Sequence, residues 1–223
     1  MVSLGRVLAI IAVLVLVVVA IPIARRNKRV FNAHNDDMQA WATSHGCSYV
    51  FEDNSQYDGL TFYPFGQFDR QYAHRVITGR YAERAIAVYD FYFATVGSGV
   101  GPAGSGASHV YFAMLVMQLP TSVPWLHVTQ RKHLRRHGDD EAVPTGDETF
   151  DSTYVLFAKD QEYAKAALSP AVRAGLPAQA LTGMHIVNDR LFLWQGYHKH
   201  DVALLDDRLR FAATVAAGLP APR

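Results

Sequence analysis

The sequence predicts an α+β domain with a mostly antiparallel sheet and flanking helices, preceded by one N-terminal transmembrane helix. Three observations lead to this prediction: an uncharged apolar run near the N-terminus, a middle part rich in β-branched and aromatic residues, and a last part with helical spacing of apolar residues. A chain of 223 residues suffices for one anchor and one hydrophobic core. We therefore expect a transmembrane anchor with a basic flank in residues 1–30 and a single soluble α+β domain in residues 31–223.

Residues 7–24 form the predicted anchor, because they contain no charged side chain. A helix of this length spans roughly 27 Å, close to the thickness of the hydrocarbon core of a bilayer. A cleaved signal peptide is the alternative, but it requires a shorter apolar core and a small-x-small cleavage site, which the sequence around Pro22 does not offer. The lipid bilayer is therefore the first predicted partner, and the cell membrane is the predicted location.

The charges are distributed unevenly along the chain. Five of the 21 lysines and arginines precede residue 36, four of them directly after the apolar run, whereas all 20 acidic residues lie from Asp36 onward. Positive flanks stay in the cytoplasm, so we expect a single-pass protein with a cytoplasmic domain. If the domain is a binding module, a protein partner at the inner leaflet is expected as well. The remaining 16 basic side chains against 20 acidic ones leave a mildly acidic domain without a basic face for nucleic acid.

A short amphipathic helix is predicted to enter the domain. Asn35 or Asp36 is expected to cap it, and Gly46 to end it, with Trp41 facing the core. The single cysteine, Cys47, excludes an internal disulfide and is expected to be a small, at least half-buried apolar side chain.

The sheet is predicted from short segments of β-branched and aromatic residues. The unbroken apolar middle of residues 109–119 indicates burial on both faces, which is typical of a central strand. The expected strands are residues 48–52, two strands within 72–96 that separate near residues 79–84, then 109–119, 124–130 and 153–158.

Two helices are predicted after the last of these strands. Asp160 or Gln161 opens the first, which continues to Leu168. Ser169 and Pro170 form an N-cap followed by proline at the first helical position, and Gly175 with Pro177 is expected to end the second helix.

A hairpin and a final helix complete the predicted domain. Residues 188–189 tolerate the positive φ that a tight turn requires, so the flanking apolar segments are expected to pair. Asp201 is expected to cap the last helix, whose apolar residues between 202 and 216 follow 3-4-3-4 spacing, and Asp206 is expected to pair with Arg210.

The segment 99–104 matches G-x-G-x-x-G, the pattern that lets backbone approach a pyrophosphate at a helix N-terminus. A strand rather than a helix follows it, and Pro102 lies inside it. The sequence therefore favours a flexible hairpin connection over a nucleotide-binding turn.

Four histidines are the metal-ligand candidates. His133 and His137 have i,i+4 spacing with acidic residues at 139–141, and His198 and His200 form an H-x-H pair that chelates when it lies on a strand. Neighbouring cations oppose a divalent ion at the first pair, and the segment is typical of a solvated loop. The sequence therefore assigns no catalytic, cofactor-binding or metal residue beyond these weak candidates, and no cofactor.

The carboxylates of Asp147, Glu148 and Asp151 precede a predicted strand. Their spacing does not decide among capping a helix, binding a ligand and catalysis. The chain has no G-x-S-x-G nucleophile pattern.

Residues 145–176 resemble a family of actinobacterial single-pass membrane-anchored proteins. The shared features are an acidic-aromatic pair at residues 150–151, a helix with an acidic first turn, and the Leu-Ser-Pro step at 168–170. Trp41, residues 78–79, the strand at 89–93 and residues 119–120 fit the same pattern, and the His-rich loop does not belong to it. The resemblance implies no activity, cofactor or site residue.

Two functions follow as hypotheses. The first is a membrane-anchored, non-catalytic binding or interaction module, whose expected mark is an exposed apolar patch in residues 49–68 or a groove. The second is a metal-assisted hydrolase, which requires at least three of the ligand-type side chains to converge on one point.

Overall fold

The computed structural model describes residues 32–65, 70–95, 108–133 and 141–221. A nine-stranded sheet dominates this part of the chain, with order β1-β2-β3-β4-β9-β8-β5-β7-β6, and every neighbouring pair is antiparallel. The α+β class is therefore confirmed. The strands are β1 Ser48–Glu52, β2 Gln71–Tyr81, β3 Arg84–Thr95, β4 Ser108–Gln118, β5 Leu126–Gln130, β6 Ala142–Val143, β7 Tyr154–Ala158, β8 Gly183–Val187 and β9 Arg190–Gly196.

Five α-helices flank the sheet in the described residues. They are α1 at residues 32–44, α2 Glu148–Thr153, α3 Gln161–Ala167, α4 Pro170–Ala178 and α5 Leu205–Gly218. Single-turn 3₁₀ segments lie at Asn54–Tyr57, Arg131–His133 and Val202–Leu204.

The strands form where the β-branched and aromatic residues predicted them. β2 and β3 form one long hairpin that turns at residues 82–83, and β4 lies between β3 and β9, so its central position is confirmed. The hairpin of β8 and β9 turns at Asn188, whose φ of 55° is the left-handed conformation expected there.

The helices cover one face of the sheet and bury aliphatic side chains from both layers, among them Met38 of α1, Leu176 of α4 and Leu209 of α5. Trp41 belongs to this core, as predicted, and Cys47 is half-buried against it.

The opposite face is aromatic. Tyr63 and Phe65 pack onto Phe91, Phe112 and their neighbours, so the apolar side chains of residues 57–65, part of the segment expected to form an exposed patch, cover the sheet instead. Of the large apolar side chains in that segment, only two on the edge strand β1 are exposed among the described residues: Val50 and Phe51.

Three local predictions were wrong. Helix α1 already includes residue 32, so neither Asn35 nor Asp36 caps it. Helix α4 continues through Gly175, and since a Cβ there would lie 2.1 Å from the Phe211 ring, glycine lets the two helices approach. Arg210 pairs with Asp207 rather than with Asp206, which accepts a hydrogen bond from Trp41.

Two further predictions differ in detail. Asp201 caps the 3₁₀ turn that leads into α5 rather than α5 itself. Pro177 lies in the last turn of α4, where the amide hydrogen that it lacks costs only one intrahelical bond.

The predicted anchor, residues 7–24, and the G-x-G-x-x-G segment, residues 99–104, lie outside the described residues. Within the part of the chain that the structure describes, no helix combines the length and apolar character needed to cross a bilayer. The anchor and its orientation therefore stay predictions.

Candidate functional site

A groove with a volume of about 440 Å³ lies between α2 and α4. Its walls are mostly apolar, and its two charged residues, Asp147 and Arg173, pair with each other. The lining residues are Asp147, Thr149, Phe150, Thr153, Tyr154, Pro170, Arg173, Ala174 and Pro177.

Two helix caps give the groove its shape. Asp147 caps α2, because its Oδ1 accepts from the Phe150 N–H at 3.1 Å, and Ser169 caps α4 by accepting from the Val172 N–H. Pro170 follows at the first helical position and forms part of the wall. The caps fix the starts of both helices, so the groove belongs to the ordered fold.

One ion pair bridges the two helices. Arg173 Nε donates to Asp147 Oδ2 at 3.0 Å, and Arg173 Nη1 donates to the Leu168 carbonyl at 2.7 Å. The Phe150 N–H lowers the pKa of Asp147 below its ordinary value, and Arg173 adds to this effect. The carboxylate therefore stays ionised, and both of its oxygens accept hydrogen bonds, which does not suit a general acid or base.

The floor of the groove is aromatic. The rings of Phe150 and Tyr154 stack with centroids 5.0 Å apart, and the Tyr154 hydroxyl donates to the Leu181 carbonyl at 2.8 Å. Both side chains are buried apart from the face that lines the groove. The arrangement is able to hold an apolar chain while polar groups of the same molecule meet the ion pair.

Of the three carboxylates whose role the sequence left open, two have structural partners. Asp147 is a cap and an ion-pair member, whereas Asp151 accepts from the Thr145 N–H and hydroxyl and fixes the loop before α2. Glu148 is exposed in the first turn of α2. Phe150 and Pro170, from the two motifs of the family resemblance, both line the groove.

A second concavity, of about 330 Å³, lies where β5 and β9 end. We call it the polar cleft. It brings together two of the four predicted histidines, His133 and His198, and is lined by Gln130, Lys132, His133, Ala180, Thr182, Gln195, Gly196, Tyr197 and His198.

Tyr197 is the prominent side chain of the polar cleft. Its φ of 65° is in the left-handed region, which costs energy for a residue other than glycine, and its N–H donates to the Tyr111 carbonyl at 2.6 Å. Its ring is 53% exposed and lies 5.1 Å from the His133 ring, between centroids. Burial, and then the charge of Lys132, lower the pKa of His133, so its ring is neutral at pH 7.

His200 does not share the polar cleft with His198. It is buried, its backbone N–H donates to Asp90 Oδ1, and its Nε2 donates to the Met114 carbonyl at 2.8 Å. The H-x-H pair is therefore divided between a surface cleft and the core. His137 lies outside the described residues.

The described residues contain no group of three histidine, cysteine, aspartate or glutamate side chains placed to hold one metal ion. His133 and His198 are two candidates in one cleft whose described lining adds no carboxylate or thiol. The convergence that a metal-assisted hydrolase requires is not found in this part of the chain.

A buried polar cluster joins α1 to the sheet. Asp90 accepts from Arg75 Nε at 2.6 Å and from His34 Nε2 at 3.0 Å, and Arg75 Nη1 donates to Asn35 Oδ1 at 3.1 Å. Burial alone raises the pKa of Asp90, but the hydrogen bond from His34 and neighbouring positive charge, that of Arg75 included, lower it to about 2. Asn35, which lies inside α1 and was expected to cap it, takes part in this cluster instead.

Sequence reasoning named Asp147, Pro170, His133 and His198 but missed the other residues that shape the two concavities. Helix α2 has only six residues and no apolar period, so only the Asp147 cap three residues before Phe150 signalled it. Arg208 was also missed, although it lies three residues after Leu205 and four before Ala212, on the apolar stripe of α5. A charge at such a position is a signal that sequence analysis is able to use.

The chain matches no protein-family model and no curated protein sequence. Its fold is similar to the crystal structure of the mycobacterial trehalose monomycolate transport factor A, TtfA, with a TM-score of 0.60. The match covers 85% of this chain and 98% of TtfA, at 14% sequence identity. At this identity the likeness shows a shared fold, and the actinobacterial family resemblance stays a prediction.

Proposed function

We propose that this protein is a membrane-anchored, non-catalytic module that holds the apolar chain of an amphipathic lipid in the groove between α2 and α4. The observation that carries the proposal is the groove itself. It has the size of a small-molecule pocket, apolar walls and a single ion pair.

The chemistry of the groove favours binding over catalysis. Phe150, Ala174 and Pro177 offer apolar surface to a hydrocarbon chain, whose burial contributes about 0.8 kcal/mol per methylene. The polar residues, Asp147 and Arg173, already pair with each other, so they suit contact with a lipid headgroup rather than proton transfer.

The predicted membrane location supports a lipid as the occupant. Helix α1 includes residue 32, so at most seven residues separate the predicted anchor, residues 7–24, from the folded domain. Such a short connection would hold the domain close to the headgroups, and we place it on the cytoplasmic side because of the basic flank. A protein partner at the same leaflet would receive or deliver the lipid.

The fold likeness to TtfA supports a role associated with lipid transport. TtfA is described as a trehalose monomycolate transport factor. By this analogy of fold we propose that a glycolipid is the class of lipid held by the groove. No observation on the described residues favours a metal-assisted hydrolase as a second function.

Photo-crosslinking in lipid nanodiscs tests the proposal. The full chain would be reconstituted with a glycolipid that carries a diazirine on its acyl chain, irradiated, and digested for mass spectrometry. We expect crosslinked peptides from α2 and α4, in addition to any from the predicted anchor.

Ala174→Trp is the decisive variant, because Ala174 is exposed and lines the groove. Filling the groove should lower crosslinking of α2 and α4 by about tenfold, while labelling of the anchor stays constant. The matched control is Ala217→Trp, which adds the same ring at an exposed position of α5 outside the groove. If α2 and α4 remain unlabelled, or if Ala174→Trp leaves their labelling unchanged, the groove does not hold the lipid.

A further inference from the structure

Arg208 is a buried cation with an incomplete set of partners. It is 2% exposed, and its Nη2 donates to Gln195 Oε1. Its Nε and Nη1 meet no acceptor among the described residues, and the ion pairs found there do not include it. Buried charges are ordinarily paired, because an isolated one costs several kcal/mol, so the local structure is suited to an anion.

Gln195 connects this charge to the polar cleft. A guanidinium only donates, so the amide oxygen of Gln195 must face Arg208. The two amide hydrogens of Gln195 therefore point away from Arg208. Because Gln195 lines the polar cleft, these donors are available to a molecule in it.

The rest of the polar cleft is also rich in donors. Lys132 adds an ammonium group. The neutral ring of His133 and the ring of His198 add N–H groups. The lining contains no carboxylate among the described residues. Several converging donors with a net positive charge fit an oxyanion that has several acceptor oxygens.

We propose that the polar cleft binds a phosphate group, which Lys132 and Gln195 contact while Arg208 orients Gln195 and supplies positive charge from behind it. Lys132 is a binding residue and Arg208 a positioning residue. The phosphate belongs either to a phospholipid headgroup or to free inorganic phosphate. The proposal stands apart from the groove, whose lining shares no residue with the polar cleft.

Thermal unfolding of the full chain in maltoside micelles, which contain no phosphate, tests the proposal. Tryptophan fluorescence would report the midpoint temperature in sodium chloride, in inorganic phosphate at the same ionic strength, and in chloride with added phosphatidylglycerol. A ligand at ten times its Kd should raise the midpoint of the wild type by roughly 3 to 6 °C.

Lys132→Gln and Arg208→Met should each abolish that rise. Lys132 is exposed, so its replacement leaves the fold intact and keeps the test informative even if the Arg208 variant folds poorly. Arg208→Lys, which keeps the charge, should show part of the rise that Arg208→Met loses. If Arg208 were purely structural, the rise in midpoint with phosphate would not depend on its charge. Arg210→Gln, at an exposed position of the same helix, should behave as the wild type with both additives, and Ala174→Trp in the groove should behave as the wild type with inorganic phosphate.

The two additives distinguish the sources of the phosphate. A rise with inorganic phosphate identifies a free anion, and a rise with phosphatidylglycerol alone identifies a lipid headgroup. If neither additive raises the wild-type midpoint, or if Lys132→Gln responds as the wild type does, the proposal is wrong. Loss of lipid crosslinking by Ala174→Trp with an unchanged phosphate response would separate the groove from the polar cleft.

Discussion

Arg75 and Arg208 are both buried guanidinium groups on the helix-covered side of the sheet, but their surroundings differ. Arg75 donates to the buried carboxylate of Asp90 and to Asn35, so its charge is neutralised within the fold. Arg208 donates to the neutral amide of Gln195, and two of its donors are open among the described residues. The first arrangement is typical of a structural ion pair, whereas the second leaves an unpaired positive charge behind Gln195 of the polar cleft.

The largest effect on stability is expected from breaking the buried polar cluster around Arg75 and Asp90. Arg75→Met leaves Asp90 buried without its cationic partner, which should lower the free energy of unfolding by about 3–5 kcal/mol. Urea unfolding of the full chain in maltoside micelles would measure it. Arg80→Met, an exposed arginine on the same strand, is the control. A loss below about 1 kcal/mol for Arg75→Met would mean that the cluster does not hold α1 to the sheet.

The second effect is a dependence of stability on pH that His200 brings to the same cluster. Burial lowers the pKa of His200 from 6.5 to about 4, although the Asp90 carboxylate opposes this shift. The unfolded chain therefore binds a proton near pH 6.5 and the folded chain only near pH 4. As the pH is lowered from 6.5 to 4, this difference decreases the free energy of unfolding by on the order of 3 kcal/mol in total.

His200→Gln isolates this contribution, because glutamine keeps a donor for the Met114 carbonyl but does not titrate. The variant should lose less stability than the wild type between pH 6.5 and pH 4, in urea unfolding at a series of pH values. His198→Gln is the matched control, since His198 is exposed two residues earlier. Parallel curves for the wild type and His200→Gln would show that the His200 ring titrates normally.

The third effect concerns Arg208, whose replacement is not expected to lower the free energy of unfolding. Arg208→Met removes a buried charge that has only one partner, so in chloride the free energy of unfolding should stay unchanged or rise by about 1 kcal/mol. The same urea titration would measure it. A loss above about 2 kcal/mol would place Arg208 with Arg75 as a structural residue, and the contrast between them would disappear.

The sheet was predictable because its signals are local. Strand composition, the Asn188 turn and the capping residues Asp160 and Ser169 each determine a few neighbouring residues, and the structure has them where the sequence indicated. Errors arose where a distant residue decides. Gly175 was expected to end α4, but it lies inside the helix, where its missing Cβ makes room for Phe211 of α5.

The concavities were not predictable for the same reason. Phe150 and Pro170 are 20 residues apart in sequence and line the same groove only because the fold brings the starts of α2 and α4 to it. The histidine candidates were chosen by spacing, and burial then separated His198 from His200. On a strand the two histidines would share one face, but β9 ends at Gly196, so the strand alternation does not reach them.

The smallest effect is expected from a third arginine, Arg210, which is on the same helix as Arg208 but exposed. Its ion pair with Asp207 at 2.8 Å gains little in water, because both groups are well solvated and both side chains lose rotamer freedom. Arg210→Gln should therefore change the free energy of unfolding by no more than about 0.5 kcal/mol in the urea titration, and less at high salt. The contributions of Arg75, Arg208 and Arg210 to the free energy of unfolding would then differ because of their burial and their partners. A change for Arg210→Gln as large as that for Arg75→Met would show instead that any lost arginine destabilises this domain, and neither buried cation would have a special role.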